Sequence, residues 1–147
     1  MTTWMLRRCA LVFLAVYSAA GLLITLSPQP VDRPYDRALA HLLQTLHAHN
    51  VPAFINYNFV ESGSNVVLFL PLGLIVTLLL APGLWWLAPV AGLIASTAIE
   101  LAQLIFLPHR FASPGDVIAN TAGAIIGTLI ALVVRANGFS LRANREP

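Results

Sequence analysis

Four long apolar runs limit what this chain can fold into more than any other feature. They occupy residues 9–26, 66–81, 84–107 and 117–134. A helix needs about 20 predominantly apolar residues to cross a bilayer core roughly 30 Å thick, at about 1.5 Å per residue. The second run is short, and residues 62–65 extend it at the interface. A soluble domain needs a charged outer layer, yet 58% of these residues are hydrophobic and only 10% charged. The expected fold class is therefore all-α. It is an integral membrane bundle of four transmembrane helices with one extra amphipathic helix in the outer loop, and residues 1–147 make a single membrane domain.

Charge and cysteine content exclude several function classes. The basic side is entirely arginine, and a net charge of +2 with no basic stripe gives no footprint for nucleic acid. The lone Cys9 rules out an internal disulfide and a cysteine-based metal cage. The first run carries a weak cleavage site at Ser18-Ala19-Ala20, but residues 21–26 stay apolar where a signal peptide should turn polar. Retention as an anchor is expected.

Arginine placement sets the expected orientation. With the N-terminus inside, Arg7, Arg8, Arg135, Arg142 and Arg145 are cytoplasmic, against Arg33, Arg37 and Arg110 outside. This reading gives a multi-pass protein of the cell membrane with both termini cytoplasmic. The second and third helices are joined only around Pro82-Gly83, a tight hairpin followed by interfacial Trp85 and Trp86.

The outer loop contains Leu39, Leu42, Leu43 and Leu46 at the i, i+3, i+4, i+7 spacing of one helix face. Pro34 suits its start, and Asn50 with Pro52 its stop. Such a helix lies on the outer surface or caps the bundle. His41, His47 and His49 are spaced 6 and 2 apart, which is not the i, i+4 spacing of a helical metal site. No metal or cofactor is expected. Asp32, Asp36 and Glu61 read as solvated.

Charged and amide side chains inside the apolar runs are the candidates for function, because each needs a partner or a purpose in a bilayer. Glu100 and Gln103 share a face of the third run at i, i+3. Ser113-Pro114-Gly115-Asp116 opens the fourth helix, with Ser113 as N-cap, Pro114 first and Asp116 third. Asp116, Asn120, Gly123 and Gly127 continue as one stripe, and the two glycines form a GxxxG pattern that admits close helix packing. Asn65 opens the second run at the same level, and Pro71 and Gly73 below it suit a kink that frees a carbonyl. Helix count and direction thus bring Asn65, Glu100, Gln103, Arg110, Asp116 and Asn120 to one depth in the outer half of the bundle.

This ordered set resembles the VanZ-like membrane proteins. The residues that carry the likeness are Asn65 with Pro71-Leu72-Gly73, Glu100-x-x-Gln103, Arg110, Asp116-x-x-x-Asn120 and Gly123-x-x-x-Gly127, over about residues 65–134. The family is named for a protein linked to resistance to the glycopeptide teicoplanin. The resemblance implies a membrane protein of the cell envelope, and it supplies no established reaction.

The residues leave three readings open. Arg110 can pair with Glu100 or Asp116 and lock the hairpin. Alternatively, its planar fork can hold a phosphate or carboxylate of a lipid headgroup or cell-wall precursor, with the amides fixing orientation. The third reading is a small membrane hydrolase or transferase acting on a lipid-linked substrate. It has a carboxylate pair in Glu100 and Asp116, and His109 to move protons, but no activated serine or cysteine. A purely structural assembly protein is the bland limit of the first reading.

Overall fold

The computed structural model describes residues 3–27, 36–107 and 113–138. The described chain is helical, with no strand among the described residues. The helices are α1 (Thr3–Thr25), α2 (Asp36–Ala48), α3 (Tyr57–Leu79), α4 (Leu87–Phe106) and α5 (Pro114–Ala136), with a 3-10 turn at Pro82–Leu84 between α3 and α4. All except α2 are long and apolar enough to cross a membrane. The protein is a multi-pass membrane protein.

The apolar runs locate the helices but not always their ends. Helix α3 starts at Tyr57, well before the run at residue 66, because Asn56 caps it and accepts a hydrogen bond from the Phe59 N–H at 3.1 Å. It continues through Pro71 as one helix. Helix α2 ends as its sequence suggests. Asn50 takes φ 64°, the left-handed conformation that asparagine tolerates. The Val51 and Asn50 N–H groups turn back to the Leu46 and His47 carbonyls. Of its leucine stripe, Leu43 is buried, Leu39 and Leu46 half-buried, and Leu42 exposed.

The bundle is built with small residues inside and large apolar ones outside. Ala88, Ala124, Ala131, Thr77 and Ser96 are fully buried, whereas Leu23, Phe106 and Ile118 lie on the outer face. Water would reject that surface, but hydrocarbon does not, and close helix contact there depends on small side chains. The central pair is α3 with α5. A Cβ on Gly123 would collide with the Val66 carbonyl, one on Gly127 with the Leu70 carbonyl, and one on Gly73 with the Ala124 carbonyl. The GxxxG stripe therefore faces α3, and the rising register makes the two helices parallel. The Thr77 hydroxyl donates to the Thr128 hydroxyl at 3.1 Å within the same seam.

Helix α4 runs antiparallel to α5 and completes the compact unit. Helix α1 packs more loosely, and its hydroxyl from Tyr17 donates to the Leu68 carbonyl of α3 at 2.9 Å. The bundle has two chemically distinct ends. At one end, Arg135 of α5 donates to the Thr77 and Leu80 carbonyls where α3 finishes, the first of which also takes the Leu80 N–H at 3.3 Å. A guanidinium there also suits the negative end of the helix dipole. At the other, α1 and α4 finish while α3 and α5 begin. This is the polar end.

Candidate functional site

The polar end gathers buried polar groups on α4 and α5. Glu100, Gln103 and Asn120 are 8%, 5% and 5% exposed. Their burial follows from helix spacing. Gly92, Ser96, Glu100 and Gln103 recur at 4, 4 and 3 residues and form the buried stripe of α4. On α5, Asn120, Gly123 and Gly127 share the stripe that packs inward.

Glu100 ties the end of α4 to the start of α5. Its carboxylate accepts a hydrogen bond from the Ser113 backbone N–H at 2.7 Å. Ser113 is the N-cap of α5 and Pro114 and Asp116 are its first and third residues, as the spacing indicates, but the Ser113 side chain makes no capping bond. In a capping box the third-position carboxylate would reach back to that N–H. Here a carboxylate from the neighbouring helix takes it, at the positive end of the α5 dipole. Asp116 is half-buried, and both it and Glu100 are engaged in further interactions.

Asn120 reaches α4 at a second point. Its amide nitrogen donates to the Ser96 hydroxyl at 2.8 Å, while its Oδ1 is buried with no hydrogen-bond donor among the described residues. Gln103 turns the other way. Its amide donates to the Thr25 carbonyl at 2.7 Å, so it fastens the end of α1 rather than meeting Asn120.

Three of the six sequence candidates, Glu100, Asp116 and Asn120, lie at the α4–α5 junction, whereas Gln103 ties α4 to the end of α1. Asn65 is at the right level, beside the Val66 that Gly123 abuts. It is half-buried and makes no side-chain hydrogen bond among the described residues. Arg110 and His109 lie outside the described residues. Two partners were not singled out from sequence. Ser96 is one turn before Glu100 on the same face, a spacing that could have flagged it. Thr25 contributes only a main-chain oxygen, which has no sequence signature. The loop histidines make local bonds, His47 Nε2 to the Ile55 carbonyl at 3.0 Å and His49 Nδ1 to the Thr45 carbonyl at 2.8 Å.

Comparison with known proteins adds one decisive finding. A family model described as VanZ/LLP1 matches residues 9–135. The chain belongs to the VanZ/LLP1 family. The match reaches well beyond residues 65–134, taking in α1 and α2, so those elements are part of the family unit and not additions to it. No curated protein and no solved structure matches the chain.

Proposed function

We propose that this VanZ/LLP1 protein binds the polar headgroup of a membrane-resident amphiphile at the α4–α5 junction. Asn120 carries the reading. A buried acceptor without a donor costs about 1–3 kcal/mol, so such groups are rarely left without a role. A ligand hydroxyl or amine fits Asn120 Oδ1. Arg110, on the link between α4 and α5, fits the ligand's phosphate or carboxylate through its bidentate fork. A lipid headgroup and a lipid-linked cell-wall precursor share this chemistry. The arginine bias puts the site on the outer face of the cell membrane, with both termini cytoplasmic. Family membership supports a role in the envelope, including altered susceptibility to glycopeptides of the teicoplanin type.

The test is native mass spectrometry of the purified protein with co-extracted lipids, comparing the parent with Arg110→Ala and Arg110→Lys. The parent should retain a headgroup-bearing species that both variants lose, because lysine keeps the charge and loses the fork. Equal retention by all three would contradict the reading.

A further inference from the structure

We infer that the ligand carries a hydrocarbon chain, and that one segment of it lies in a crevice between α1 and the α3–α4 pair. This rests on the proposed headgroup site and adds the ligand's other half. The crevice has a volume of about 140 Å³ and is lined by Tyr17, Gly21, Leu22, Leu68, Leu72 and Ile99, among others. That volume is close to the roughly 150 Å³ apolar cavity that accepts one benzene-sized group. It therefore suits a segment of a single chain and not two chains side by side.

Three observations favour a lipid chain as occupant. The first is the lining, which is overwhelmingly apolar and belongs to membrane-spanning helices, so the medium outside the crevice is hydrocarbon. The second is the looseness of α1. Glycine at position 21 leaves space that a side chain would fill, since a Cβ there meets nothing within 4 Å. The third is continuity with the polar site. Gln103 stands at i+4 from Ile99 of the crevice and at i+3 from Glu100 of the site, so it neighbours both. Its bond to the Thr25 carbonyl fixes the rim, since Thr25 also lines the crevice. A chain in the crevice would thus place its headgroup toward the junction of α4 and α5.

The experiment titrates palmitoyl lysophosphatidylglycerol, which has one chain, a phosphate and hydroxyl donors, into the purified protein and reads binding by native mass spectrometry. The variants are Gly21→Leu, which fills the crevice, and Ala20→Leu, which adds the same bulk on an exposed position of α1 outside it. Thermal melts should show both variants folded like the parent. Gly21→Leu should weaken binding by about tenfold or more, and Ala20→Leu by less than about twofold, on the scale where each 1.4 kcal/mol is tenfold. Glycerol 3-phosphate, which has the headgroup and no chain, should fail to displace the lipid. If Gly21→Leu binds like the parent while Arg110→Ala does not, the crevice is not the chain site and the headgroup reading survives. If glycerol 3-phosphate displaces the lipid at equal concentration, the chain is not recognised and the inference is overturned. If all variants bind alike, both readings fail.

Discussion

The Glu100 carboxylate accepts the Ser113 N–H at 2.7 Å, so a side chain of α4 caps the first turn of α5. This relationship assigns Glu100 a structural duty whatever else it does. A hydrogen bond to a charged group contributes about 1.5–3 kcal/mol, and a lost partner leaves the N–H without an acceptor. Glu100→Ala should therefore lower stability in detergent by about 2 kcal/mol. Glu100→Gln retains an acceptor oxygen and should cost about 1 kcal/mol or less. Thermal unfolding of the two variants checks this, and equal losses would mean that the cap is unimportant.

The α3–α5 seam makes a second prediction. Gly127 has the Leu70 carbonyl and the Leu74 N–H against it, with no room for a side chain. Gly127→Leu should destabilise by about 3 kcal/mol or prevent folding, since overpacking typically costs 1–3 and backbone atoms cannot step aside. Leu129 is 55% exposed and faces outward, so Leu129→Ala should shift stability by less than about 0.5 kcal/mol. Similar melting temperatures for the two variants would place the seam elsewhere.

At the opposite end, Arg135 should matter more than its position near a helix terminus suggests. Its removal takes donors from the Thr77 and Leu80 carbonyls. Arg135→Gln should cost about 1.5–3 kcal/mol in detergent melts, while Arg135→Lys should recover part of that, because an ammonium also favours a helix C-terminus. A neutral Arg135→Gln would show that these carbonyls are satisfied otherwise.

Helix α2 offers a test of surface placement. Leu43 is buried and its neighbour Gln44 exposed. A nitroxide at position 43 should be shielded from a water-soluble relaxation agent and one at position 44 accessible to it. Reporter fusions after Asn50 should read extracytoplasmic and those after Gly83 cytoplasmic. The reverse pattern would invert the proposed orientation.

Much of the architecture was legible because each apolar run has the length a bilayer demands. The GxxxG stripe at Gly123 and Gly127 was legible for a similar reason, as close backbone approach leaves a four-residue spacing of glycines. Helix ends were less so. The start of α3 depends on Asn56 capping a polar first turn, which hydropathy alone does not show. Within the site, Glu100, Asp116 and Asn120 stood out as polar groups in apolar surroundings. The partners of Glu100 and Gln103 were not legible, because the Ser113 N–H and the Thr25 carbonyl are main-chain groups that almost any residue type can supply. Near Pro71, where the sequence suits a kink, α3 remains a single helix, and the carbonyl that Tyr17 engages is that of Leu68, not the Val67 carbonyl whose helical donor the proline removes.

The claim that the α4–α5 junction holds a ligand, and is not merely a polar packing contact, is tested most directly by the lipid retained on the double variant Ser96→Ala with Asn120→Leu. Replacing both partners of a buried hydrogen bond by apolar groups of similar shape is often neutral or stabilising. The account predicts a protein at least as stable as the parent that has lost its co-purifying headgroup species in native mass spectrometry. A double variant that is stable and retains that species at the parent's level would contradict it, leaving Asn120 and Ser96 as a packing contact alone.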